Sequence, residues 1–115
     1  MRPFYNSLMR TSDIEEEIRA WAERSDMSRQ YGKDPLARAC SELAARYKKL
    51  LGEAENATES EELVSARNLR RKIEAAEQHR TMCAEHGLND AAIDATYEIE
   101  ELEQEIVALI TDAEL

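Results

Sequence analysis

Residues 89–115 read NDAAIDATYEIEELEQEIVALITDAEL, and how this stretch is read decides the fold. It contains no Lys, Arg, His, Gly or Pro. Small and apolar residues recur at Ala92, Ala95, Ile99, Leu102, Ile106, Leu109 and Ala113, in alternating steps of three and four. That alternation places them on one face of an α-helix. Ile93, Val107 and Ile110 widen the apolar side, which implies two packing neighbours rather than one. The acids are equally ordered. At 100° per residue, Asp94, Glu98, Glu101, Glu105 and Asp112 fall in a narrow sector beside the apolar face, as a ladder of like charges.

The rest of the chain supplies helices for this one to pack against. Upstream, Leu63, Ala66, Leu69, Ile73, Ala76 and Cys83 form a second stripe, on a helix expected over 59–86 that starts at Thr58 or Ser60 and is stopped by Gly87. The short segment 87–89 makes the two helices antiparallel neighbours, with Asn89 as cap of a helix over 90–113. In that hairpin Arg80 would lie near Asp94 or Glu98, and Arg71 and Lys72 near Glu103 and Glu105.

Two more helices precede them. One is expected over 12–31, opened by a Ser12–Glu15 capping box, with Glu15, Glu16 and Glu17 at the positive end of its dipole. Its buried stripe is Ile14, Ile18 and Trp21, fading to Ser25 and Ser28, and Gly32 is its stop. The other is expected over 35–51, with Asp34 as cap and Pro35 in the first turn. Leu36, Cys40, Leu43, Tyr47 and Leu50 form its stripe, and Ala37, Ala44 and Leu51 widen it. Residues 52–58, GEAENAT, read as a linker. Residues 1–10 read as an arm, whose Phe4, Tyr5, Leu8 and Met9 favour folding back on the bundle. The expectation is an all-α fold: one domain over 1–115, an antiparallel bundle of three to four helices built on a long helical hairpin.

Charge and motifs narrow the function classes. Residues 1–57 carry ten basic and ten acidic side chains, and residues 58–115 carry five and fifteen, so the net charge of −10 lies wholly in the second half. Phosphates would be repelled, which argues against direct nucleic-acid binding and for a basic protein partner. The basic run Arg70–Lys72 is too short for a nucleic-acid footprint and reads as structural charge facing acids of the last helix. The sequence lacks a Gly-rich phosphate loop and the Glu-x-x-His pattern of carboxylate-bridged bundle metals, and Cys40 has no His near it, so no enzyme is expected. His79, Cys83 and His86 share one side of a helix and are the best candidate metal ligands, with Asp90 or water as a fourth. Cys83 also falls on the core stripe, so it reads as a packing residue with no cofactor. No run is apolar enough for a signal peptide or a membrane span, and the two cysteines are expected to be reduced, in the cytoplasm.

The ladder is what these considerations leave unexplained. Like charges at i,i+3 and i,i+4 cost about 0.2–0.5 kcal/mol per pair, and a helix selected only for stability would intersperse lysines. Asp94, Glu98, Glu101, Glu105 and Asp112 are therefore the expected partner-binding residues. The corresponding function is a non-enzymatic inhibitor or adaptor occupying a basic surface, such as another protein's nucleic-acid-binding site. Small acidic phage proteins that block restriction or CRISPR systems are alike in size and charge, and share no motif with this chain. The alternatives are a homodimeric coiled-coil scaffold, whose acids merely solvate it, and a zinc- or thiol-dependent site on the third helix.

Overall fold

The computed structural model describes residues 9–53 and 58–114, with side chains as far as Thr111. It contains four α-helices: α1 (Thr11–Gln30), α2 (Asp34–Gly52), α3 (Glu61–Glu85) and α4 (Asn89–Glu114). Each expected helix is present, with its ends shifted by one or two residues. The arm's Phe4, Tyr5 and Leu8 and most of the linker lie outside the described residues, and Met9 packs partly buried against the core.

Two glycines set the turns. Gly32 and Gly87 have φ of 76° and 73°, the left-handed region that a Cβ disfavours. In both turns the chain closes with a six-to-one bond, Lys33 N–H to Ser28 O at 2.8 Å and Leu88 N–H to Cys83 O at 2.7 Å. This is the Schellman arrangement, which satisfies carbonyls the helix end would leave open.

The starts depart from expectation more than the stops do. Helix α1 begins a residue early at Thr11, so Arg10 occupies the cap and the Ser12–Glu15 capping box does not form. Lys33, not Asp34, occupies the cap of α2, without a side-chain bond. Asn89 is the first residue of α4 rather than its cap, since Ala92 N–H already bonds to Leu88 O. Only Ser60 caps as its residue type suggests, its hydroxyl accepting from Leu63 N–H at 3.2 Å.

The chain folds as two helical hairpins, α1 on α2 and α3 on α4, joined chiefly by α2 against α4. Ala37, Ala39, Ala44, Ala66 and Ala76 are buried along these contacts, and their small side chains let the helices approach closely. The core holds Ile14, Trp21, Leu36, Cys40, Leu43, Tyr47, Leu50, Leu63, Ile73, Ile99, Leu102, Ile106 and Ile110. Full burial of each large side chain contributes roughly 1.5–3 kcal/mol relative to exposure. The continuous core ends at Ala76 on α3 and Ile99 on α4. Beyond it the hairpin tip buries only Cys83 and Ala95. Helix α2 starts level with residues 100–107 of α4, because Lys33, Pro35 and Leu36 share a groove with Glu100, Glu103, Gln104 and Val107. The first ten residues of α4, about 15 Å of helix, therefore extend past the start of α2.

Between α1 and α3 the seam is ionic. Arg70, 7% exposed, donates to Glu17 at 2.6 Å and to Glu74 at 2.6 Å, and its guanidinium lies 5.7 Å from the Trp21 ring centroid. Arg24 donates to Glu77 at 2.8 Å, one helical repeat along. The three glutamates expected at the positive end of the dipole thus differ, and Asp13 is the acid of the first turn. Glu15 and Glu16 are exposed, while Glu17 is buried between Ile14 and Trp21 on the core stripe.

Candidate partner-binding face

Asp94, Glu98, Glu101 and Glu105 are all exposed on α4. Their exposure follows from the stripe: Ala95, Ile99, Leu102 and Ile106 are buried and fix the rotation of the helix. Among the described residues, none of the four has a cation within ion-pair distance. The side chain of Asp112 lies outside the described residues.

Of the expected approaches between α3 and α4, that of Lys72 to Glu105 is present, but among the described residues none is an ion pair. Glu103 pairs with Lys33, at 2.9 Å, instead of with Arg71 or Lys72. Lys72 and Glu105 line one groove without forming an ion pair, and Arg80 reaches neither Asp94 nor Glu98. The reason lies in the rotation of α3. Burying Ala66, Ile73 and Ala76 turns Arg70 toward α1 and Arg67 toward Glu59, away from α4. Of the basic middle of α3, Arg70 serves the other hairpin and Arg67 the residues that precede α3.

Two exposed apolar side chains accompany the acids. Ile93 is 52% exposed and Tyr97 is 63% exposed, one helical turn apart. The sequence places Ile93 on the widened packing side, but among the described residues no helix covers it, because α2 begins farther along α4. Tyr97 carries no sequence signal as an apolar-stripe residue. Its spacing from Ile93 and its position between Asp94 and Glu101 were the available clue. Leu88 and Met82, at the same end of the hairpin, are 56% and 57% exposed.

The histidine–cysteine set is not assembled as a metal centre. Cys83 Sγ lies 3.5 Å from His79 Nε2 and is buried, whereas His86 occupies the exposed C-cap of α3. Among the described residues, no three metal-binding side chains converge. Cys40 is fully buried, and burial pushes its thiol up to about 11, opposed weakly by Arg24. It remains a protonated thiol at neutral pH, and a thiol is a poor nucleophile.

A second polar cluster was not anticipated. Glu59 is 4% exposed, accepts two bonds from Arg67, both at 2.8 Å, and accepts from the Tyr47 hydroxyl at 2.5 Å. Burial, then Glu59, raises Tyr47 well above the usual phenol range, and the bond to Glu59 raises Arg67. These groups tie the start of α3 to α2.

Comparison with protein families, with characterised proteins and with solved structures returns no match. No helix among the described residues is long and apolar enough to cross a membrane.

Proposed function

We propose that this chain is a non-enzymatic binding protein that docks on a basic surface of a partner protein through α4, as an inhibitor or adaptor. One observation carries the reading: four carboxylates on an exposed helix face, with no ion pair to any described residue of their own chain. Close charge complementarity accelerates encounter and fixes register, and this face is free to supply it. A nucleic-acid-binding surface on another protein is the most complementary target, and a phage anti-defence inhibitor is the sharpest form of the proposal.

The test is the combined variant Glu98→Lys, Glu101→Lys and Glu105→Lys. Partners captured from host lysate by the wild-type chain at low salt should be released by the variant and by high salt, while the melting temperature of the variant holds. Capture unchanged by the three reversals removes this face from function. Salt-insensitive self-association of the wild type would favour the homodimeric scaffold instead.

A further inference from the structure

From the exposed pair Ile93 and Tyr97, we infer that the partner surface is recognised through arginine in particular, on a segment that also carries an apolar residue. This deepens the function proposed above and rests on it. The pair occupies the stretch of α4 that extends past α2, a helix face left exposed by the described residues. Tyr97 has Asp94 three residues before it, Glu98 after it, and Glu100 and Glu101 three and four residues on, all exposed. On a helix Asp94, Glu100 and Glu101 flank the phenol, while Glu98, at the next position, lies to the side. A ring face within reach of several carboxylates suits a guanidinium. It can stack on the ring while its fork of N–H groups binds a carboxylate with two parallel bonds, which an ammonium cannot do. Ile93, one turn away, offers apolar area for a neighbouring side chain, and tyrosine is among the residues that dominate interface affinity.

Charge also selects the occupant. A second copy docked symmetrically through this face would bring Asp94, Glu98 and Glu101 against the same three acids, without a cation between them. A basic, arginine-bearing amphipathic segment of another protein is complementary on both counts. The chain's own arginines do not fill the place: its one cation–π pair among the described residues is interior, Arg70 over Trp21.

The experiment uses two synthetic amphipathic peptides of leucine and one basic residue type, arginine in one and lysine in the other. Their affinities for the full chain are measured at low salt. The arginine peptide should bind about three- to fivefold tighter. Tyr97→Leu, which keeps an apolar side chain, should reduce that preference by removing the stacking part of it and leave the lysine peptide nearly unchanged. Ile93→Ala should weaken both peptides. As a control for net charge, Glu15→Lys with Glu16→Lys and Glu23→Lys, all exposed on α1, should matter much less than the α4 triple reversal.

Equal affinity for the two peptides, with the α4 triple variant still losing both, overturns the arginine inference and leaves the acidic-face reading standing. Equal losses from the α1 and α4 reversals overturn both. Self-association of the free chain that Ile93→Asp abolishes would assign this face to a second copy and overturn the inference.

Discussion

At the scale of single residues, the choice that most needs a physical account is Glu17 against Arg70. Two charges lie 5% and 7% exposed in the middle of the bundle, and Glu17 Oε1, Trp21 Nε1 and Arg70 Nε have no protein hydrogen-bond partner. Burial alone would lower the Arg70 pKa, but Glu17, with Glu74, outweighs it and the net shift is upward, so Arg70 stays charged. The desolvation cost of such a pair cancels much of its attraction, whereas removal of one member leaves the other charge buried and uncompensated. Arg70→Met should therefore lower the unfolding free energy by about 3–5 kcal/mol, and Glu17→Met by a similar amount. The double variant Glu17→Met with Arg70→Met keeps most of the volume without the charges, and should recover most of the loss. Urea unfolding of the four proteins forms a double-mutant cycle. If the double variant lost as much as the two single losses added together, the seam would depend on apolar packing by these side chains rather than on their charges.

At the scale of elements, the α3–α4 hairpin carries both the fold and the candidate face, and its turn rests on Gly87. At φ 73° a β-carbon would strain the backbone, although nothing lies within 4 Å of the place it would occupy. Gly87→Ala should thus act through conformation alone and cost about 1–2 kcal/mol. Thermal unfolding followed by circular dichroism measures it, and Gly52→Ala is the comparison, a helical glycine with open space around it that should tolerate alanine or gain slightly. A cost at Gly87 no larger than at Gly52 would mean that the turn relaxes out of the left-handed region. The helices were legible because stripes at Leu36–Leu50 and Ala95–Ile106 and stops at Gly32 and Gly87 are local signals. Arg70 and Glu17 were not, although both sit on their stripes. Arg70 is four residues after Ala66 and three before Ile73, and polar character at such a position reads as the edge of a stripe until a partner from another helix is known. The exposure of the acid ladder followed from periodicity alone. That Ile93 is uncovered depends on where α2 begins along α4, which no local pattern encodes.

At the scale of the whole molecule, charge acts in opposite directions on folding and on binding. The net charge is −10, and α4 contains nine acids and no base. Self-repulsion among these acids destabilises the compact state, and salt screens it because the side chains are exposed. The ion pairs that salt could weaken are mostly half-exposed pairs of small value, such as Arg46 with Glu42 and Lys33 with Glu103. The pairs that matter to the bundle, Arg70 with Glu17 and Arg67 with Glu59, are buried and little screened. Raising sodium chloride from about 0.02 M to about 0.5 M, which shortens the screening length to a few ångströms, should therefore raise the melting temperature by a few degrees. The same change should weaken attachment to a basic partner. The α4 triple reversal should remove much of the salt-induced gain, since it relieves the repulsion that salt otherwise screens. A melting temperature that falls with salt would show that exposed ion pairs outweigh the acid ladder. Repulsion along α4 would then be too small to count as a cost to the bundle, and the argument that the ladder is kept for a partner would lose that support.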